Sequence, residues 1–125
     1  MRKLALLGLF TLIAASINAQ EVEMDMDLMQ TIEDTNKSLS SNIALQRVEA
    51  STTDAKELTA MFEIVEAHFI KKGDAENAVT LSKKSKDLTI DIVKFVSDKK
   101  FDDASNSATE LSRACRSCHT FYKKE

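Results

Sequence analysis

Residues 101–122 read FDDASNSATELSRACRSCHTFY and carry the clearest helical pattern in the chain. At 3.6 residues per turn, the apolar side chains of this segment fall within about 100° of one another on a helical wheel. They are joined on that face by two cysteines and a histidine, so the pattern predicts an amphipathic helix with these groups turned inward. The predicted inward face consists of Phe101, Ala104, Ala108, Leu111, Cys115, Cys118, His119 and Tyr122.

A first helix is predicted from about residue 22 to about residue 46. Its apolar side chains fall within about 140° of one another, and Met29 lies close to the middle of that stripe. A methionine in this position is a candidate for buried contacts, since the side chain packs well into irregular spaces. The predicted stripe consists of Met26, Met29, Ile32, Leu39 and Ile43.

The second and third helices are predicted to follow a polar break at residues 51–53. Asp54 and Glu57 resemble a capping box at the start of helix two, which would end near residue 71. Gly73 fits a helix C-cap, and Asp74 can begin a third helix that ends near Ser97. The expected inward residues are Leu58, Met61, Phe62, Val65 and Phe69 in helix two, and Val79, Leu81, Leu88, Ile92, Phe95 and Val96 in helix three.

The chain has two glycines and no proline, and it shows no alternating strand pattern. Four helices with short connections therefore predict an all-α, up-down-up-down four-helix bundle. The 125 residues also suggest a single small domain.

The start of the chain has the three regions of a secretory signal peptide. Arg2 and Lys3 precede an apolar run that is too short for a comfortable membrane span, and cleavage is expected after Ala19. Residues 1–19 would then be the signal peptide and residues 20–125 the folded domain, located in the periplasm and without a membrane span. With 15 basic and 20 acidic side chains, the remaining chain has a net charge of −5. This charge argues against nucleic acid as a partner and favours a partner with a basic docking patch.

The run Cys115-Arg116-Ser117-Cys118-His119 has the spacing of a c-type haem attachment site. Thiols at positions i and i+3 of a helix lie on the same side, so each can form a thioether with one vinyl group of a single haem. The adjacent His119 can then bind the iron as the proximal ligand. We therefore expect one covalently attached haem c on the last helix.

Two other fates of these cysteines are less consistent with the sequence. Redox-active C-x-x-C pairs usually lie at the start of a helix in a βαβ fold, whereas this pair lies near the end of a helix in a chain without strands. A zinc site would need a fourth ligand, and only His68 could supply another imidazole. His68 lies at the edge of an apolar face and is better interpreted as a surface residue of the bundle.

The signal peptide, the four helices and the motif near the end of the chain together resemble the class II c-type cytochromes. The resemblance is strongest over residues 100–122, and the run from Gln30 to Asp34 is also similar to the first helix of a related soluble b-type cytochrome. In low-spin members of the family, a methionine of the first helix is the distal iron ligand, and Met29 matches that position. Met26 is an alternative ligand, and packing in the core is an alternative role for Met29.

The resemblance implies an electron carrier with His119 and Met29 as axial ligands, acting on redox protein partners and not as an enzyme. The alternative within the family is a five-coordinate haem protein of the cytochrome c-prime kind that binds NO or CO. Some relatives form homodimers, which the sequence neither requires nor excludes. The start of the first helix is acidic, so it cannot compensate the negative charge of the haem propionates. The candidates for that role are Lys37, Arg113 and Arg116.

Overall fold

The computed structural model describes residues 24–122, and all regular secondary structure in that range is helical. The helices are α1 (Met26–Ala44), α2 (Val48–Lys72), α3 (Glu76–Ser97) and α4 (Phe101–Tyr122). Each helix packs against the next, and α4 returns to pack against α1. With only three residues between successive helices, the arrangement is an up-down-up-down four-helix bundle, which confirms the predicted fold. The predicted signal peptide, residues 1–19, lies outside the described residues, as does the side chain of Tyr122.

None of the helices in residues 24–122 combines the length and the hydropathy needed to cross a membrane. Buried apolar residues from all four helices form a common core. The largest fully buried side chains of that core include Leu39, Ile43, Leu58, Ile92 and Leu111.

The ends of α1 and α3 explain how three residues suffice to reverse the chain. After α1, the Gln46 and Arg47 amides donate to the carbonyls of Ile43 and Asn42, both at 2.9 Å. This is the hydrogen-bond pattern of a Schellman motif, with Gln46 in the left-handed conformation at φ 53°.

The end of α3 repeats the motif. Lys99 donates to Val96 at 3.0 Å, Lys100 donates to Phe95 at 2.8 Å, and Lys99 has φ 56°. Glycine is the usual residue at this position because a side chain there is strained.

The predicted start of α2 was wrong by two turns. The helix begins at Val48 and continues through residues 51–53, where Ser51 is completely buried. A serine is small enough to lie in the packed interface, so these polar residues do not interrupt the helix. Asp54 is not a cap: its carboxylate accepts hydrogen bonds from Ser38 at 2.7 Å and from Asn42 at 2.8 Å, both on α1.

The connection between α2 and α3 agrees with the prediction at Gly73 and differs from it at Asp74. Gly73 caps α2 with φ 72°, and its amide donates to the Phe69 carbonyl at 3.2 Å. Asp74 has φ 52° and precedes the cap position of α3, which Ala75 occupies without a side-chain hydrogen bond. Asp74 therefore belongs to the turn and does not cap the helix.

The inward face of α3 is more polar than predicted. Its buried residues are Ala78, Ser82, Ser85, Thr89, Ile92 and Val96, while Val79, Leu88 and Phe95 lie partly buried at the edges. Ser82 and Ser85 donate to backbone carbonyls of their own helix at 2.7 and 2.8 Å, and Thr89 forms a 2.7 Å hydrogen bond with Thr59 of α2. Because these hydroxyls are satisfied, small polar residues can face α2 at close range.

The stripe of α1 also differs from the prediction at its start. Asp25 caps the helix by accepting a 2.8 Å hydrogen bond from the Leu28 amide. Leu28 is buried, whereas Met26 is 82% exposed and does not belong to the core. Met26 therefore does not belong to the inward stripe, and Met29 is the methionine of α1 that packs against the core.

Candidate functional site

A cavity of about 320 Å³ lies where all four helices converge, near the start of α1 and the end of α4. We call it the interhelical cavity. Apolar side chains from α1 and α2 form much of its wall, and the sulfur and imidazole groups of α4 border it on the other side. Its lining residues are Met29, Ile32, Glu33, Asn36, Phe62, Val65, Ser82, Cys115, Arg116, Cys118 and His119.

The last two turns of α4 supply three of the predicted site residues. Cys118 lies three positions after Cys115, and His119 follows it directly; all three residues border the cavity. The two cysteines are half-buried free thiols, and His119 is exposed. The prediction that His119 belongs to the buried face was therefore too strong, since its imidazole lies where the cavity opens to solvent.

The first turn of α1 supplies the fourth predicted site residue. Met29 is half-buried, lines the interhelical cavity and packs against the core. The structure thus brings Met29 to the same cavity as Cys115, Cys118 and His119, although 86 residues separate Met29 from Cys115 in the sequence. Met26, the alternative considered from the sequence, points away from this cavity.

His68 does not take part in the site. It is exposed on α2, and its ring makes an edge-on contact with the ring of Phe69, with 5.1 Å between the centroids. Within residues 24–122, no group of three or more histidine, cysteine, aspartate or glutamate side chains is arranged to hold a metal ion. The cysteines and His119 thus lack the further ligand that a zinc site requires.

Burial raises the pKa of the Cys115 thiol to about 11, and the neighbouring Cys118 adds to that effect. Burial also raises the pKa of Cys118. A redox-active dithiol needs the opposite, because the thiolate is the nucleophile and its formation requires a lowered pKa. The surroundings of the pair therefore favour a role other than thiol–disulfide exchange.

The three basic residues considered for charge compensation differ in their surroundings. Lys37 pairs with Glu33 at 2.9 Å, and Arg113 pairs with Glu110 at 2.6 Å. Only Arg116 lines the interhelical cavity. It lies between the two cysteines in the sequence, so it is the candidate nearest to the proposed attachment site.

Asn36 is a site residue that sequence reasoning missed. It lies two turns after Met29 on α1, lines the cavity, and donates from its side-chain nitrogen to the Ser112 hydroxyl of α4 at 3.2 Å. Its Oδ1 is buried and has no hydrogen-bond partner within residues 24–122. The sequence did contain a signal for Asn36. An asparagine seven residues after Met29 falls on the apolar stripe, where burial of a polar side chain costs free energy unless it forms hydrogen bonds.

The lining of the cavity suits a mostly apolar group that is bonded to α4. Its volume lies within the range of small-molecule sites, and its wall contains Ile32, Phe62 and Val65. Two thiols on one helical face can bond to one edge of a ring, and an imidazole and a thioether are both ligands of haem iron. The residues present therefore fit haem c in both donor type and apolar lining.

Comparison with known proteins adds no relative to this picture. No family model matches the chain, and neither a curated protein nor a solved structure is detectably similar to it.

Proposed function

We propose that this protein is a periplasmic monohaem c-type cytochrome that carries electrons and resembles the class II c-type cytochromes. One observation carries the proposal: Met29 of α1 and Cys115, Cys118 and His119 of α4 line the same cavity of a four-helix bundle. Each of these side chains has a separate role in holding haem. Finding all four at one cavity is not expected if they were unrelated core and surface residues.

Cys115 and Cys118 would hold the group covalently. Each thiol adds across one vinyl double bond, so that sulfur bonds to one carbon and the thiol proton goes to the other. The addition consumes no oxidant and releases nothing. The spacing of three residues places both sulfur atoms along one edge of the ring.

His119 and Met29 would bind the iron from opposite faces of the ring. His119 follows Cys118 directly, so its imidazole would be available to a haem iron held beside Cys118. Met29 comes from the neighbouring helix α1, and its thioether would stabilise Fe(II) and raise the reduction potential. When bound, the haem supplies an iron that alternates between Fe(III) and Fe(II). With both axial positions taken by the protein, no position is left for a substrate, which fits a carrier better than an enzyme.

The exposed position of His119 indicates where electrons would enter and leave. His119 and Arg116 line the cavity and are both exposed, so a ring held there by α4 would have an edge near the protein surface. Electron-transfer encounters are usually small and short-lived. The net charge of −5 expected after signal cleavage would favour a redox partner with a basic docking patch.

The proposal is tested by mass and spectrum on protein produced with a cytochrome c maturation system. We expect the mass of the mature chain plus one haem that survives acid–acetone extraction. We also expect a low-spin ferric spectrum with the weak far-red band of a methionine–iron bond. A mass equal to the bare chain would overturn the haem assignment. A high-spin ferric spectrum with ready CO binding after reduction would instead support a gas-binding protein.

The distal ligand is tested by substitution of Met29. Met29→Ala should abolish the far-red band and shift the ferric spectrum toward high spin, with CO binding to the reduced protein. Met26→Ala is the matched control, since Met26 lies one turn earlier on α1 and is 82% exposed. If Met29→Ala leaves the spectrum unchanged, or Met26→Ala changes it equally, Met29 is not the ligand.

A further inference from the structure

The contact between α1 and α4 is the least extensive of the four between neighbouring helices in the bundle. Beside the interhelical cavity, these two helices also border a second cavity of about 110 Å³ that is lined mainly by hydroxyl groups. Its lining residues are Ser40, Ile43, Ser105, Ala108, Thr109 and Ser112. Apolar interlocking is therefore limited along this interface, although α1 and α4 carry the two residues that the proposed function places on the iron.

The hydrogen bond between Asn36 and Ser112 lies between the two cavities. The Ser112 hydroxyl donates to the carbonyl of Ala108 at 3.2 Å, so it accepts from the Asn36 side-chain nitrogen at 3.2 Å. This direction of donation determines the orientation of the amide, with the nitrogen toward α4. The bond thus joins α1 and α4 at one defined pair of positions.

The two proposed ligands lie the same number of residues from this bond, each along its own helix. Met29 lies seven residues before Asn36, and His119 lies seven residues after Ser112. Because α1 and α4 run in opposite directions, both ligands lie on the same side of the bond, each about 10 Å from it along the helix axis. A slip of α1 by one turn would displace Met29 by about 5 Å relative to His119, which is too far for both to reach one iron.

We propose that Asn36 is a positioning residue. It fixes the position of α1 along its axis relative to α4, and so holds Met29 opposite His119. This role rests on the proposed function, because it requires that Met29 and His119 bind the same iron. The buried Oδ1 of Asn36 supports the role: a purely structural residue at this position would be more stable as an apolar side chain, without an unpaired buried acceptor.

The test compares the haem-loaded protein with Asn36→Leu, which removes the hydrogen bond and keeps an apolar side chain of similar size. The readouts are the far-red methionine–iron band and the affinity of the ferric protein for added imidazole, which competes with Met29 for the iron. Loss of a hydrogen bond worth about 1 kcal/mol should make imidazole bind about fivefold more tightly and should weaken the band.

Asn42→Leu is the matched control. Asn42 also lies on α1 and also bonds across to a neighbouring helix, at 2.8 Å to Asp54 of α2. This variant should leave the imidazole affinity unchanged, even if it lowers the melting temperature to a similar extent. The exchanged pair Asn36→Ser with Ser112→Asn keeps the same two groups in contact and should restore much of the parent affinity.

Three results are informative. Tighter imidazole binding in Asn36→Leu, together with recovery in the exchanged pair, supports the positioning role. An unchanged affinity in Asn36→Leu, or an equal effect of Asn42→Leu, overturns this role and leaves the haem assignment standing. A parent protein without the methionine–iron band overturns the assignment of Met29 and the role of Asn36 with it.

Discussion

If the protein carries haem c as proposed, loss of haem attachment should destabilise the bundle severely. The perturbation is the double substitution Cys115→Ser and Cys118→Ser, which removes both thioethers with little change in side-chain size. Without the ring, the apolar groups around the interhelical cavity lose the contacts that would fill it. At about 24 cal/mol per Å³ of cavity, a volume of about 320 Å³ corresponds to about 8 kcal/mol. The cavity opens to solvent on one side, so this figure is an upper limit, and we expect a loss of about 4–8 kcal/mol.

A loss of that size is comparable to the whole stability of a domain of this length, which is about 5–15 kcal/mol. Thermal unfolding followed by circular dichroism should therefore show a midpoint at least about 15 °C below that of the parent, or a broad transition without cooperativity. Ser117→Ala is the control, since Ser117 is exposed and does not line the cavity. A double variant, shown by absorption to be free of haem, that melts cooperatively within a few degrees of the parent would refute the idea of a haem-filled core.

Two further predictions test the fold itself. Lys99→Gly should raise stability by about 0.5–1 kcal/mol, because glycine adopts φ 56° without strain. In a urea titration, the control Lys100→Gly should show no gain, since Lys100 lacks a positive φ. Leu111→Ala should lower the free energy of unfolding by about 3–5 kcal/mol, because Leu111 is completely buried. By contrast, Leu45→Ala should cost less than about 1 kcal/mol, as Leu45 is 57% exposed; equal losses would show that the assigned core is wrong.

Much of the fold could be predicted because it depends on periodic apolar spacing. That signal located α4 from Phe101 and the end of α3 at Ser97, while the glycine at position 73 indicated the end of α2. The start of α2 was missed because a run of small hydroxyl residues resembles a break. Whether such a run interrupts a helix depends on what packs against it, and Ser51 is buried against its neighbours.

Ile92 and Val96 of α3 were predicted correctly as inward residues, but the polar part of that face was missed for a related reason. Serine and threonine satisfy their hydroxyls on carbonyls of their own helix, so they can be buried without a distant partner. Ser82 and Ser85 do so, and Ser82 reaches the interhelical cavity. Hydropathy alone predicts that these residues are exposed and that the larger Leu88 is in the core. In the structure, Leu88 is only partly buried at the edge of the core.

The candidate site divides into a local part and a distant part. Cys115, Cys118 and His119 are neighbours on one helix, so the geometry of the helix alone places them together. Met29 is near them only because three short turns return the chain, and its inclusion depended on the stripe of α1 and on a family resemblance. The place of Asn36 on the apolar stripe was a local signal, but nothing in the local sequence reveals that its partner is Ser112, 76 residues away.

If the protein binds haem as proposed, whether it carries electrons or binds a gas depends on the axial position of α1 relative to α4, which no single segment determines. A thioether on the inward stripe is necessary for six-coordinate iron, but it is effective only if it lies opposite His119. The Schellman motif at the end of α1 limits how far α1 can move relative to α2, and the hydrogen bond that Asn42 donates to Asp54 restrains the same pair. The Asn36–Ser112 bond is a corresponding restraint between α1 and α4. A bundle of this kind that lost the bond while keeping the methionine would retain its haem and its fold, yet its sixth ligand would be easier to displace.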